Sequence, residues 1–239
     1  MDILPIEVIE IIFNHLSFYE IINQIFLSKK YKKIIENVTW RIQKFIIILF
    51  NKRDLQILQK FKPRIKNLFV DCNELASQNP IINYLDEIQY ETLYFKNIDL
   101  YRNKITDLKD LDFKISEKCK EIYFINCINY SISLVNSLIY LKNCESVNFN
   151  GNVKMDLRVT GMVFCYINIV VLQTLNKLPK LKKISLSEWI LDKECLELLS
   201  NHEIIELNQV IIKDDIIFLK NCTEVRLSKC QINENNLKE

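Results

Sequence analysis

Glycine is nearly missing from this chain: Gly151 and Gly161 are the only two among 239 residues. With so few, no glycine-rich loop can cradle a phosphate and no G-x-S-x-G nucleophile turn can form. Histidine is equally scarce. His15 and His202 stand far apart, neither has a catalytic or metal-binding motif around it, and no C-x-x-C pair accompanies them, so zinc lacks its usual donors. A cysteine nucleophile, Cys165 or Cys195 with His202, has no supporting motif. The longest apolar run, residues 163–172, is broken by Asn168 and is too short to cross a bilayer. The first residues show no basic stretch followed by an apolar core and a cleavage site. Charge of one sign is also lacking: 32 basic and 30 acidic side chains leave a net +2, no broad field for nucleic acid. The lysine cluster 29–33 reads as a solvated helix face. These absences give the expectation of a non-catalytic protein, intracellular in the cytoplasm or nucleus, with no cofactor, metal, nucleic acid or membrane partner.

What the chain does have is concentrated at its start. Pro5 suits the first helical position and Glu7 the first turn, where a carboxylate meets the positive end of the dipole. Ser17 and Glu20 form a capping box, with Leu16 and Ile21 at the staple positions, so a second helix follows a first that ends near His15; Ser28 can cap a third. In the first helix Ile6, Ile9, Phe13 and Leu16 make one apolar stripe and Val8, Ile11 and Ile12 another. So small a unit cannot bury both, and a partner is implied.

The order Leu4-Pro5, Glu7-Val8-Ile9, Ile12-Phe13, Leu16-Ser17, Ile21-Ile22, Leu27-Ser28 and Trp40 resembles an F-box. The aromatic-basic step after the Leu-Ser pair is Tyr31-Lys32, where that family often has Trp. The resemblance implies a three-helix unit over residues 1–40 that docks on a Skp-type adaptor and, through it, a cullin-RING ligase. It places the adaptor contacts at Leu4, Pro5, Val8, Ile9, Ile12, Leu16, Ile25 and Tyr31.

From Arg64 onward seven segments share one register, with an apolar residue at the fourth place and another two later: Leu68/Val70, Leu93/Phe95, Ile122/Phe124, Val147/Phe149, Ile184/Leu186, Ile205/Leu207 and Val225/Leu227. Three places on come Asn73, Ile98, Cys127, Asn152, Trp189, Val210 and Cys230, which turn inward after the strand. The pattern resembles a degenerate leucine-rich repeat, and the spacing of about 20–29 residues fits except between Val147 and Ile184, the interval that holds both glycines. Stretches such as LVNSLIYLKN, VLQTLNKL, DKECLELLS and DDIIFLKN have helical spacing. The expected fold is therefore an α/β repeat: an F-box, one or two connecting and capping helices over residues 41–63, and a solenoid of about seven repeats over 64–239, with parallel strands on the concave face and helices on the convex one.

The cysteines obey the same register. Cys119, Cys144 and Cys222 take the first apolar place and Cys127 and Cys230 the inward place after the strand, as small buried hydrophobes do. Between each inward pair one residue points to the concave face, giving the column Phe69, Tyr94, Tyr123, Asn148, Ser185, Glu206, Arg226 as the candidate substrate surface. Its three aromatics are either interface anchors or cross-strand packing partners, and one role does not exclude the other. F-box and leucine-rich-repeat proteins select substrates for ubiquitin ligases, and the resemblance implies that function here. An interaction scaffold or inhibitor that needs no adaptor is the alternative.

Overall fold

The computed structural model describes residues 5–25, 29, 32, 44–49, 52–71, 85, 88–96, 116–126, 138–150 and 162–232. Each apolar pair lies on a strand: β2 (Arg64–Asp71), β3 (Tyr90–Lys96), β4 (Glu121–Ile125), β5 (Ser146–Asn150), β6 (Lys183–Ser187), β8 (Ile204–Asn208) and β10 (Glu224–Ser228). All run parallel in chain order within one sheet of eight strands. The register aligns Leu68, Leu93, Ile122, Val147, Ile184, Ile205 and Val225 as Cα partners. The first six of these are fully buried, and burying a Leu or Ile side chain contributes about 1.5–3 kcal/mol. Alternation does the rest: residues two apart share a face, so one apolar pair per strand builds one continuous core.

The eighth strand corrects the helical reading of residues 41–63. Only its second half is a helix, α3 (Lys52–Phe61), while β1 (Lys44–Leu49) adds an edge strand parallel to β2. Phe45 and Ile47 are buried and Ile46 is 64% exposed, the period of a strand written in apolar letters on both faces. α1 (Ile6–Asn14) and α2 (Phe18–Ile25) precede it, and Phe18 of α2 packs edge-on against Phe45 at 5.7 Å between ring centres. Of the segment after Ser28 only Lys29 and Lys32 are described, both helical.

A short second sheet follows the strand ends, β7 (Ile190–Leu191), β9 (Ile211–Ile212) and β11 (Gln231–Ile232), again parallel. After four strands of the large sheet the backbone turns through a left-handed residue: Asn126, Glu188, Gln209 and Lys229 have φ of 52, 63, 55 and 53°. A side chain there costs about 1–2 kcal/mol. A hydrogen bond offsets it, since Asn126, Glu188 and Gln209 each donate N–H to the last residue of the next strand of the large sheet, Asn150, Asn208 and Ser228, at 2.8–3.0 Å. The following residue then turns inward, as Trp189 and Val210 show by their burial. Asn73, Ile98, Cys127 and Asn152 lie outside the described residues, as do Gly151 and Gly161.

Helices cover one side. α4 (Met162–Leu175) and α5 (Lys193–Leu199) bury Val171, Leu172, Leu175, Cys195, Leu196 and Leu199. Asp192 caps α5 by accepting from the N–H of Cys195 at 3.0 Å. Two other stretches with helical spacing form only short 3₁₀ turns among the described residues, Leu138–Tyr140 and Ile216–Leu219. Lys220 caps the latter's end, which leaves no room for a longer helix before β10.

His202, between α5 and β8, is buried with Nδ1 3.4 Å from the carbonyl oxygen of Leu181, and burial lowers its pKa from the ordinary value. The folded chain therefore disfavours the imidazolium. Stability should be whole above about pH 6.5, where the ring is neutral folded or unfolded, and should fall as pH drops below it, because unfolding then takes up a proton. Urea midpoints measured from about pH 8 to 5 check this, and His202→Leu should flatten the profile in that window.

Candidate functional site

Two surfaces are candidate sites, one on α1 and one on the side of the large sheet that carries no helix among the described residues. On α1 the two stripes separate as the helical period requires. Ile9 is 4% exposed and packs in the core, with Leu16 half-buried beside it, while Val8, Ile11 and Ile12 are 38%, 60% and 44% exposed. Ile9 is thus withdrawn from the expected adaptor surface: it holds the helix to the chain's own core. Ile11, outside that expectation, is the most exposed member of the Val8 stripe. Pro5 is exposed and accepts from the N–H groups of Val8 and Ile9. Leu4 and Tyr31 lie outside the described residues, and Ile25 is placed only as the last residue of α2.

The turn that orients α2 against α1 is built as its sequence requires. The N–H and hydroxyl of Ser17 both donate to Glu20 Oε2, at 2.7 and 2.6 Å, and the Glu20 N–H returns to Ser17 Oγ at 3.4 Å. These bonds, side chain first, hold the Glu20 carboxyl below its ordinary pKa. Ile21 and Ile22 are buried, so α2 carries the unit onto β1 and leaves α1's outer stripe free of the described core.

Residues 1–42 match the model of the F-box domain. The chain carries an F-box. Such domains typically bind Skp1-type adaptors, which suggests an adaptor-binding role in SCF ubiquitin ligase complexes, whose F-box subunits are generally non-catalytic. No curated protein matches the chain at a significant level.

On the sheet, the column predicted from the register is present as a row of Cα partners: Phe69, Tyr94, Tyr123, Asn148, Ser185, Glu206 and Arg226. It divides into three parts. At the F-box end the rings stack face to face, Phe69 on Tyr94 at 4.2 Å and Tyr94 on Tyr123 at 4.6 Å, with interplanar angles of 10° and 13°. The rings cover one another's faces and the sheet gains cross-strand packing. Tyr123 donates its hydroxyl to Glu121 Oε2 at 3.1 Å; burial first, then the Glu121 charge, pushes its pKa up to about 12, and the same causes raise that of Tyr94. Both phenols therefore remain protonated. β1 extends this part by one place, because Ile48 pairs with Phe69, a register position hidden while residues 41–63 read as helix.

The middle is polar: Asn148 Oδ1 is buried without a hydrogen-bond partner among the described residues, and Ser185 beside it is buried. The far end is an ion network in which Glu206 meets Lys183 at 2.8 Å and Arg226 at 2.7 Å, and Arg226 Nε also donates to Glu224 at 2.6 Å. The arrangement offers ring edges, hydroxyls, an amide and paired charges in a row. Such a row is suited to binding.

Cys119, Cys144, Cys195, Cys222 and Cys230 are not in disulfides. Cys119 and Cys144 donate Sγ–H to the carbonyls of Glu121 and Ser146, both at 3.2 Å, and burial raises both pKa values, that of Cys144 to about 12. Such thiols are poor nucleophiles. All eight cysteines should appear reduced by intact mass, with no change on adding reductant, and elemental analysis should find no stoichiometric zinc. Cys119, Cys144 and Cys195 should react with a thiol reagent only after denaturation.

Proposed function

We propose that this chain is the substrate-recognition subunit of an SCF-type ubiquitin ligase. The F-box docks on a Skp-type adaptor, and residues 64–239, read as a leucine-rich-repeat array, hold a protein substrate on the column from Phe69 to Arg226. The observation that carries the reading is the stripe Val8, Ile11 and Ile12, exposed on a helix inside the F-box match. Three large apolar side chains on one helical face mark a protein contact, and the adaptor is the partner that an F-box supplies. The array reading rests on the shared register, the parallel order and the repeated left-handed turn. The chain then works by proximity: holding a substrate beside the charged enzyme raises the effective concentration of its lysines, with no bond-making residue of its own.

Affinity purification from cells tests this. A Skp-type adaptor and a cullin should co-elute with the unmodified chain, and replacing Leu4 and Pro5 with Ala should remove both while far-UV circular dichroism stays native. Burial of one Leu at such a contact is worth about 1.5–3 kcal/mol. An eluate without adaptor or cullin would favour the adaptor-independent scaffold instead.

A further inference from the structure

The last strand of the large sheet breaks the pattern of the others. Leu186 and Leu207 are closed off, whereas on β10 Val225 is half-buried and Leu227 is 41% exposed. Cys222, Cys230 and Ile232 are half-buried around them, and β10 lies at the end of the sheet's strand order. Its backbone completes the picture. Glu224 donates N–H to the Glu203 carbonyl at 3.1 Å, so Glu224, Arg226 and Ser228 turn their peptide groups toward β8. The alternate residues, Val225 and Leu227, turn theirs to the outer edge. An apolar fringe beside such an edge calls for another strand.

β10 is complementary to itself. Pair two copies antiparallel about a twofold axis at Val225, and Val225 meets Val225 of the second copy in a hydrogen-bonded pair that uses the outward N–H and C=O groups. On the other side of the sheet Glu224 then stands opposite Arg226 of the second copy, and Arg226 opposite its Glu224, in the non-hydrogen-bonded sites where side chains come closest. Centring on Arg226 would oppose two guanidinium groups, and centring on Leu227 would oppose Arg226 with Ser228. Charge selects the first register. We propose that the β10 edge is a homodimer interface, two copies joining antiparallel through β10 so that their sheets become continuous. Arg226 has donors for both roles, since it binds Glu206 and Glu224 of its own chain with two of the five N–H groups of a guanidinium.

Sedimentation or light scattering of the full chain over a concentration series tests this. The mass should approach twice 28.5 kDa. Arg226→Glu sets like charges opposite each other at both sites, as does Glu224→Arg, so each variant alone should self-associate at least about ten-fold more weakly. Mixing the two variants restores opposite charges at both sites and should re-form the dimer. Leu227→Lys, which acts on the apolar fringe instead, should weaken it without rescue by either. Circular dichroism reports whether each variant is folded. A monomer at every concentration, a dimer indifferent to these substitutions, or folded charge variants that stay monomeric when mixed would overturn the proposal.

Discussion

Replacing Ile11 with Glu should abolish capture of a Skp-type adaptor and leave the fold unchanged. Ile11 is 60% exposed, more than Val8 or Ile12, so the free chain loses little when it changes; surface substitutions usually stay within about 0.5 kcal/mol. In a complex the same site is costly. The apolar contact disappears, about 1.5–3 kcal/mol, and a carboxylate without a partner must lose its water as well. The expected result is loss of at least about 100-fold in adaptor affinity, read by calorimetry. Ile9→Glu provides the contrast: Ile9 is in the core, so that variant should unfold the N-terminal helices, and a loss of binding there would say nothing about the surface. Unchanged affinity in Ile11→Glu would move the docking surface off this stripe.

The second large effect concerns the aromatic end of the column. Replacing Phe69, Tyr94 and Tyr123 together with Ser should cost substrate binding on the order of 2–4 kcal/mol, while adaptor binding survives. The inward residues Leu68, Val70, Leu93, Phe95, Ile122 and Phe124 stay in place, and they include a separate ring ladder, Phe95 on Phe124 at 5.6 Å and Phe124 on Phe149 at 4.9 Å. Stability should fall by the stacking contribution, about 0.5–1.5 kcal/mol for each ring pair, together with the apolar burial that the three half-buried rings give up. An unfolded triple variant would show that the stack serves mainly the sheet. A folded one that captures the same substrate with unchanged affinity would place the binding surface elsewhere.

Much of this was legible before any coordinates, and the reason is repetition. One apolar pair is a weak signal in so isoleucine-rich a chain, but seven pairs in one register leave little freedom, and the Cα partners run from Leu68 to Val225 as the letters do. The capping box was equally plain, because Ser17 and Glu20 bond by a local geometry that no distant residue alters. β1 was hidden for a physical reason. Its sequence KFIIIL is apolar on both sides, so the alternation that identifies a strand is absent although Phe45 and Ile47 go in and Ile46 goes out. The left-handed turns were hidden as well, since Asn126, Glu188, Gln209 and Lys229 carry no glycine to announce them. In the site, the outer stripe of α1 was visible by periodicity, whereas the division between Ile9 and Ile11 depended on where β1 and α2 close the core. The stacking of Phe69, Tyr94 and Tyr123 needed the parallel pairing itself, because residues so distant in sequence meet only when the strands align.

In the proposed function the chain bridges an adaptor and a substrate, and the bridge begins at the F-box. The most direct measurement is titration of the purified full chain with a purified Skp-type adaptor, followed by gel filtration. The prediction is a stable complex with equimolar adaptor, lost in Ile11→Glu and retained in the Phe69, Tyr94 and Tyr123 triple variant. A folded, unmodified chain that binds no adaptor at micromolar concentrations would contradict it.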